Sequence, residues 1–274
     1  MRIACVQDDV VFANPAANTD FVIQKLQSLK AQDVDLAVFP EAFLTGYCVG
    51  SPIEARNIAL PIDERFLSRI GEAVDKFDIG CVVGYTAQAG DSGLINAAML
   101  FEPGQPRRAY IKSHLPHLGF DRFAKPGNKL DVFDTRWGKI GILICFDLRP
   151  PEAARTLALK GAELIVLPTN WPIGAEVSAD HVGIARAAEN KVFFATCNRT
   201  GTENGTTFIG RSKIIHCSGR VLAEAGDGKE TIIADIDLAE ARQKRIVNIP
   251  GEYEMEVFAC RQPDLYLPIT QKDG

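Results

Sequence analysis

Cys145 is the residue of this chain whose surroundings best suit a nucleophile. It lies in the apolar run Ile140 to Phe146, which reads as a strand, and it precedes Asp147-Leu148-Arg149-Pro150-Pro151-Glu152, the opening of a helix. A thiol at a strand's carboxyl end, just before a helix N-terminus, faces backbone N–H groups that favour thiolate and offer donors to an oxyanion. The same residue can also be read as a buried, inert cysteine. A working nucleophile needs a base and an electrostatic partner. His114, His117, His181 and His216 have no motif to recommend them, and Pro116 argues against a helical metal pair at His114 and His117. A carboxylate and a lysine are the remaining choices. Glu41 closes an apolar strand at Phe39-Pro40-Glu41-Ala42-Phe43-Leu44, either at the mouth of a buried sheet, where open α/β sheets place their sites, or as a solvated strand-end charge. Lys112, in Ala109-Tyr110-Ile111-Lys112-Ser113-His114, looks by itself like any surface lysine.

These side chains need elements to hold them. Nearly continuous apolar runs at Ile3 to Val6, Leu36 to Phe39, Cys81 to Val83, Ile140 to Phe146, Leu164 to Leu167, Val192 to Cys197 and Ile232 to Ile233 suit strands buried on both faces. Asn14-Pro15 opens a helix through Phe21, Ile23, Leu26 and Leu29, and Pro150-Pro151-Glu152 opens another ending at Lys160-Gly161. Ser178 or Asp180 caps a third, through Ala185, Ala188 and Lys191. Gly-rich turns at Ala89 to Gly93 and a hairpin at Cys217-Ser218-Gly219-Arg220 complete a mixed α/β pattern with more strands than one sheet needs. The stretches Val34 to Glu41 and Ala162 to Thr169 look alike, each an apolar strand stopped by proline, which suggests two half-domains packed sheet to sheet. No linker separates them, so residues 1–274 count as one domain. The tail 250–274 has few element signals but carries Tyr253, Val257, Phe258, Leu265, Tyr266 and Leu267, as a segment that docks on its own body or a second subunit would.

Composition narrows the classes further. With 274 residues, 46% hydrophobic and 24% charged, the chain is globular and well cored. A net charge of −5 without a basic stripe excludes nucleic acid as a partner. No apolar run is long enough for a membrane span and no signal-peptide core precedes the first strand, which points to the cytoplasm. The seven cysteines are scattered without a C-x-x-C pair, against both a disulfide framework and a zinc site. No Gly-rich phosphate loop follows a strand, against hydride or phosphoryl transfer.

Taken together, Phe-Pro-Glu-x-Phe-Leu-x-Gly-Tyr at 39–47, Lys-x-His-Leu-Pro at 112–116 and Cys-Phe-Asp-Leu-Arg-x-Pro-Glu at 145–152 resemble the nitrilase superfamily of carbon–nitrogen hydrolases. Leu-Pro-Thr-Asn-Trp-Pro at 167–172, Arg-Ala-Ala-Glu-Asn at 186–190, Asn-Arg-Thr-Gly at 198–201 and Phe-Ile-Gly-Arg-Ser at 208–212 follow in the family's order. The resemblance implies an αββα sandwich, pairing into a homodimer or higher homo-oligomer, and a Glu41–Lys112–Cys145 triad acting on a small linear amide or N-carbamoyl compound without metal or cofactor. Glu41 would take the thiol proton, Cys145 would form a thioester, and Lys112 with the Phe146 N–H would hold the oxyanion. Many members carry a second glutamate after the lysine. Here that stretch, Leu118 to Gly127, has no Glu, and Asp121 is the nearest substitute. Tyr47, Arg149, Asn170 and Trp171 should lie near the pocket. Arg149 would read a substrate carboxylate or, as the preferred reading, pair with Glu152 or Asp147; Tyr47 and Trp171 would wall the pocket or fill core. A true nitrilase, or a silent ligand-binding protein on the same fold, are the alternatives.

Overall fold

A computed structural model describes residues 1–60, 65–90 and 93–271. The first half runs β1 (Arg2–Gln7), α1 (Pro15–Lys30), β2 (Leu36–Val38), α2 (Pro52–Ile58), α3 (Arg65–Phe77), β3 (Gly80–Gln88), β4 (Leu94–Phe101) and β5 (Arg108–Ile111). The second begins with β6 (Val132–Thr135), β7 (Gly138–Ile142), α4 (Pro151–Leu159), β8 (Leu164–Thr169), α5 (Gly183–Asn190) and β9 (Phe193–Asn198). A small ribbon, β10 (Thr202–Glu203) with β11 (Thr206–Thr207), precedes β12 (Lys213–Ile215), β13 (Val221–Glu224) and β14 (Glu230–Asp235). The chain closes with α6 (Ala239–Arg242), β15 (Arg245–Ile249) and β16 (Tyr253–Glu256).

Two six-stranded mixed sheets result, ordered β14-β1-β2-β3-β4-β5 and β13-β12-β9-β8-β7-β6. The two look-alike stretches are interior parallel strands, β2 between β1 and β3, and β8 between β7 and β9. Alternation along β1 accounts for the layers. Ile3 and Cys5 pack with Ile142, Leu167 and Cys197 of the other sheet, while Ala4 and Val6 pack with Val22, Leu26 and Ile70 of the outer helices. Both faces are therefore buried, as the unbroken apolar runs require. The αββα sandwich follows, with α4 and α5 covering the second sheet.

Some sequence readings need correction. The run Ile140 to Phe146 is strand only to Ile142; Cys145–Leu148 is a 3-10 turn, because the Asp147 carboxylate takes the Ile144 N–H at 2.9 Å out of the sheet ladder. Ser178 and Asp180 do not cap a helix. The helical path is already under way at Glu176 and passes through a π-turn over Ser178–Val182, where Asp180 pairs with Arg211 at 3.0 Å instead. The sequence reading missed α2 and α3, although Ser51-Pro52 is a cap signal and Phe66, Leu67, Ile70, Ala73 and Val74 form one buried stripe. Within the Ala89 to Gly93 turn, Asp91 and Ser92 lie outside the described residues.

The tail is more regular than its sequence suggests: β16 pairs back on β15, and Pro263–Thr270 forms a 3-10 segment. Phe258 packs on the core cluster, with Arg155 and Lys244 over its ring. Leu265, Leu267 and Ile269 stay exposed. Among the described residues no helix is long and apolar enough to cross a membrane.

Candidate active site

Glu41 sits one residue past Pro40, where the chain leaves β2. The loop presses on β3, with Phe39 N–H bonded to Val82 O, Gly84 N–H to Pro40 O and Leu44 N–H to Gly84 O. Only glycine fits at position 84, since a Cβ there would stand 2.5 Å from Ala42 N and Pro40 O. Glu41 is thereby held in the interior with no exposed surface. Asn96, on β4, lies beside it: one Nδ2 donates to Glu41 Oε1 at 2.7 Å and to Asp121 Oδ1 at 2.8 Å. The backbone carbonyl of the same asparagine holds the Lys112 N–H at 2.9 Å, just past β5. Lys112 Nζ then closes a ring, 2.7 Å from Glu41 Oε1 and 2.5 Å from Asp121 Oδ2. Asp121 stands on a 3-10 turn, Gly119–Phe123, and Tyr47 donates its hydroxyl to Asp121 Oδ2 at 2.9 Å.

This ring has an electrostatic logic. Burial raises the Glu41 carboxyl above its usual range, and Lys112 pulls against that shift. Burial works to lower the Lys112 ammonium, but Glu41 and Asp121 outweigh it, so the lysine stays charged at any working pH. Oε1 of Glu41 takes both donors, while Oε2 is buried with no partner among the described residues. One carboxylate oxygen is thus left to accept a proton.

The second sheet brings the thiol. Cys145 opens its turn at a φ of 45°, a left-handed conformation that non-glycine residues rarely hold. Burial and the Glu41 charge push its thiol up to about 12, against the opposing influence of Lys112, the Thr169 hydroxyl and the Asn170 N–H. The sequence reading of a position that favours thiolate is therefore corrected. Desolvation and the Glu41 charge outweigh Lys112, the Thr169 hydroxyl and the Asn170 N–H, which favours the S–H form of the thiol.

The other expected residues divide. The Phe146 N–H has no backbone acceptor among the described residues, and its ring is partly exposed. Tyr47 is buried; its hydroxyl braces Asp121, and its backbone N–H is fixed by Glu203 Oε1 at 2.7 Å, itself paired with Arg199 at 2.8 Å. Trp171 is core, buried in the main cluster with its N–H on Asn198 Oδ1. Asn170 is buried, and among the described residues both ends of its side-chain amide lack a partner, whereas the Thr169 hydroxyl faces the Cys145 thiol. Arg149 makes no ion pair with Glu152 or Asp147: Asp147 is occupied by backbone and by His114, and the guanidinium is left exposed. Asn96 escaped the sequence reading. Its signal was available, as a lone amide within the wholly buried strand Leu94–Phe101.

Comparison with known proteins agrees with this geometry. Residues 2–246 match the carbon-nitrogen hydrolase family. A nitrilase of Pyrococcus abyssi is 34% identical over 97% of this chain and 99% of its own length. The 2-oxoglutaramate amidase of Bacillus subtilis is 32% identical over 96% of this chain and 98% of its own. Among solved structures, an amidase from Nesterenkonia sp. shares the fold with a TM-score of 0.81 at 22% identity, covering 98% of this chain and 96% of that one. Family match, relatives and fold agree that the chain is an amidase-like member of the nitrilase superfamily of carbon–nitrogen hydrolases.

Proposed function

We propose that the chain hydrolyses the C–N bond of a small linear amide or N-carbamoyl compound through a thioester on Cys145. The observation that carries this reading is Glu41 Oε2, buried and unpartnered among the described residues while Oε1 takes both Lys112 and Asn96, with the Cys145 thiol near enough to feel its charge. Oε2 takes the S–H proton as sulfur attacks the carbonyl carbon, so a standing thiolate is unnecessary. The carbonyl electron pair moves onto oxygen, where the Lys112 ammonium and the Phe146 N–H stabilise it. Collapse expels ammonia or amine, which carries away the proton from Glu41, and leaves the thioester. Glu41 then deprotonates water, which attacks the thioester, releases the acid and restores the thiol. Every proton and electron pair is accounted for by these side chains and the reactants.

Asp121 takes the part of the second acid, holding Lys112 Nζ together with Glu41. The Asn170 side-chain amide offers buried polar atoms that a substrate amide can satisfy. The unpaired Arg149 guanidinium can meet a carboxylate at the far end of a monoamide, in keeping with the relative named 2-oxoglutaramate amidase. Ammonia release from short amides, dicarboxylate monoamides, N-carbamoyl compounds and nitriles, with Cys145→Ala as blank, tests this. Release from an amide or carbamoyl class alone is expected. Release from nitriles alone would make it a nitrilase, and release that persists in the blank would remove Cys145 from the reaction.

The exposed Leu265, Leu267 and Ile269 suit contact with a second copy of the chain. Truncation before Pro263 spares the β15–β16 pair, so light scattering should show a smaller species. An unchanged mass would place the segment on its own subunit alone.

A further inference from the structure

Among the described residues, one buried carboxylate outside the ring receives hydrogen bonds only from the two segments that carry the lysine and the thiol. Asp147 has no exposed surface. Its Oδ2 accepts from the Ile144 N–H at 2.9 Å and the Tyr110 hydroxyl at 2.8 Å. Its Oδ1 accepts from the His114 N–H at 2.9 Å and pairs with His114 Nδ1 at 2.7 Å. Tyr110 and His114 flank Lys112 two residues away on either side, and Ile144 immediately precedes Cys145. Segment 110–114 leaves β5 of the first sheet and segment 143–148 follows β7 of the second, and among the described residues no backbone–backbone hydrogen bond joins them.

We propose that Asp147 is a positioning residue, a clasp that fixes the approach of Lys112 to Cys145 across the two sheets. The inference rests on the triad reading above. Each feature of the clasp has a physical purpose. The left-handed backbone at Cys145 persists only where its surroundings over-determine it, and the Ile144 bond pins one side of that turn. The Tyr110 and His114 bonds pin the strand exit on both sides of Lys112, so the ammonium cannot swing without breaking them. Four donors on one buried carboxylate leave little freedom for either segment. The donors also stay donors: burial and Asp147 hold the Tyr110 hydroxyl protonated, and the hydrogen bond to Asp147 raises His114 above its ordinary value. An error of about 1 Å between reacting groups costs on the order of a hundredfold in rate.

Asp147→Asn is isosteric, yet its NH2 must face either the Ile144 N–H or the His114 N–H, donor against donor. The expected result is a fall in kcat of about a hundredfold with KM little changed. A second readout does not depend on turnover: the rate at which iodoacetamide alkylates Cys145 at about pH 8. Asp147→Asn and Lys112→Met should each slow it, and the double variant should be no slower than Lys112→Met alone, since the two act through one contact. Additive slowing, or kcat within threefold of the parent, would overturn the proposal. Should Asp147→Asn fail to fold, Tyr110→Phe deletes one bond of the four and keeps the carboxylate. A clear slowing of alkylation is then expected, and an unchanged rate would overturn it. Failure of the triad reading looks different: Cys145→Ala or Lys112→Met would retain turnover.

Discussion

Lys112→Met should lower kcat by more than about a hundredfold and, unusually for an active-site change, also cost about 3–5 kcal/mol of folding stability. Most catalytic groups are stability-neutral or costly to keep. Among the described residues this one is the only cation within hydrogen-bonding distance of two fully buried carboxylates, Glu41 and Asp121. Without it, one carboxylate must take up a proton to remain in place. The pH dependence follows. Burial already raises Glu41 in the folded state, and loss of the lysine raises it further. A carboxyl whose folded pKa lies above its unfolded value binds more protons when folded, so the variant's stability is greatest below the unfolded carboxylate pKa. It falls as pH rises through the raised folded value. Urea midpoints should therefore separate from the parent more widely at about pH 8 than at about pH 5. Equal destabilisation at both would mean that neither carboxylate depends on the ammonium.

Gly84→Ala is the second large effect, at a residue that touches no substrate. The added Cβ would lie 2.5 Å from Ala42 N and Pro40 O and 2.6 Å from the Glu41 Cα, all backbone atoms that cannot rotate away. The loop must lift from β3, and Glu41 with it. A stability loss of about 1–3 kcal/mol is expected from overpacking. A displaced base should also cost about tenfold to a hundredfold in kcat. Circular dichroism melts and steady-state kinetics on one preparation check both. A stability loss with normal kcat would show that the loop moves without carrying the carboxylate.

Much of the sandwich was legible because its strands are buried twice over. Where both faces are covered, the sequence must be apolar without interruption, and β1, β2, β8 and β9 all read that way. The places where reading failed are those where side-chain bonds override the local pattern. Ile140 to Phe146 reads as one strand, yet it ends at Ile142, four residues early, where Asp147 draws off the Ile144 N–H, an effect no periodicity reports. Glu41 and Cys145 had local context; Lys112 had none, because its partners Asp121 and Asn96 are brought to it only by the folded sheet. Charge balance in the closed site was likewise invisible. A helix-like turn favours thiolate in isolation, and only the packed structure reveals that desolvation prevails.

The position of β14 has a consequence for how the protein is made. It pairs with β1 along the whole strand, from Arg2 opposite Asp235 to Gln7 opposite Glu230, and the Met1 ammonium reaches Ile236 O at 2.7 Å. A chain emerging from the ribosome exposes β1 as a bare sheet edge until almost the last strand has been translated. Such edges recruit foreign strands. The nascent protein therefore carries an open sheet edge through most of synthesis, and every strand of its second sheet is translated before its first can be finished.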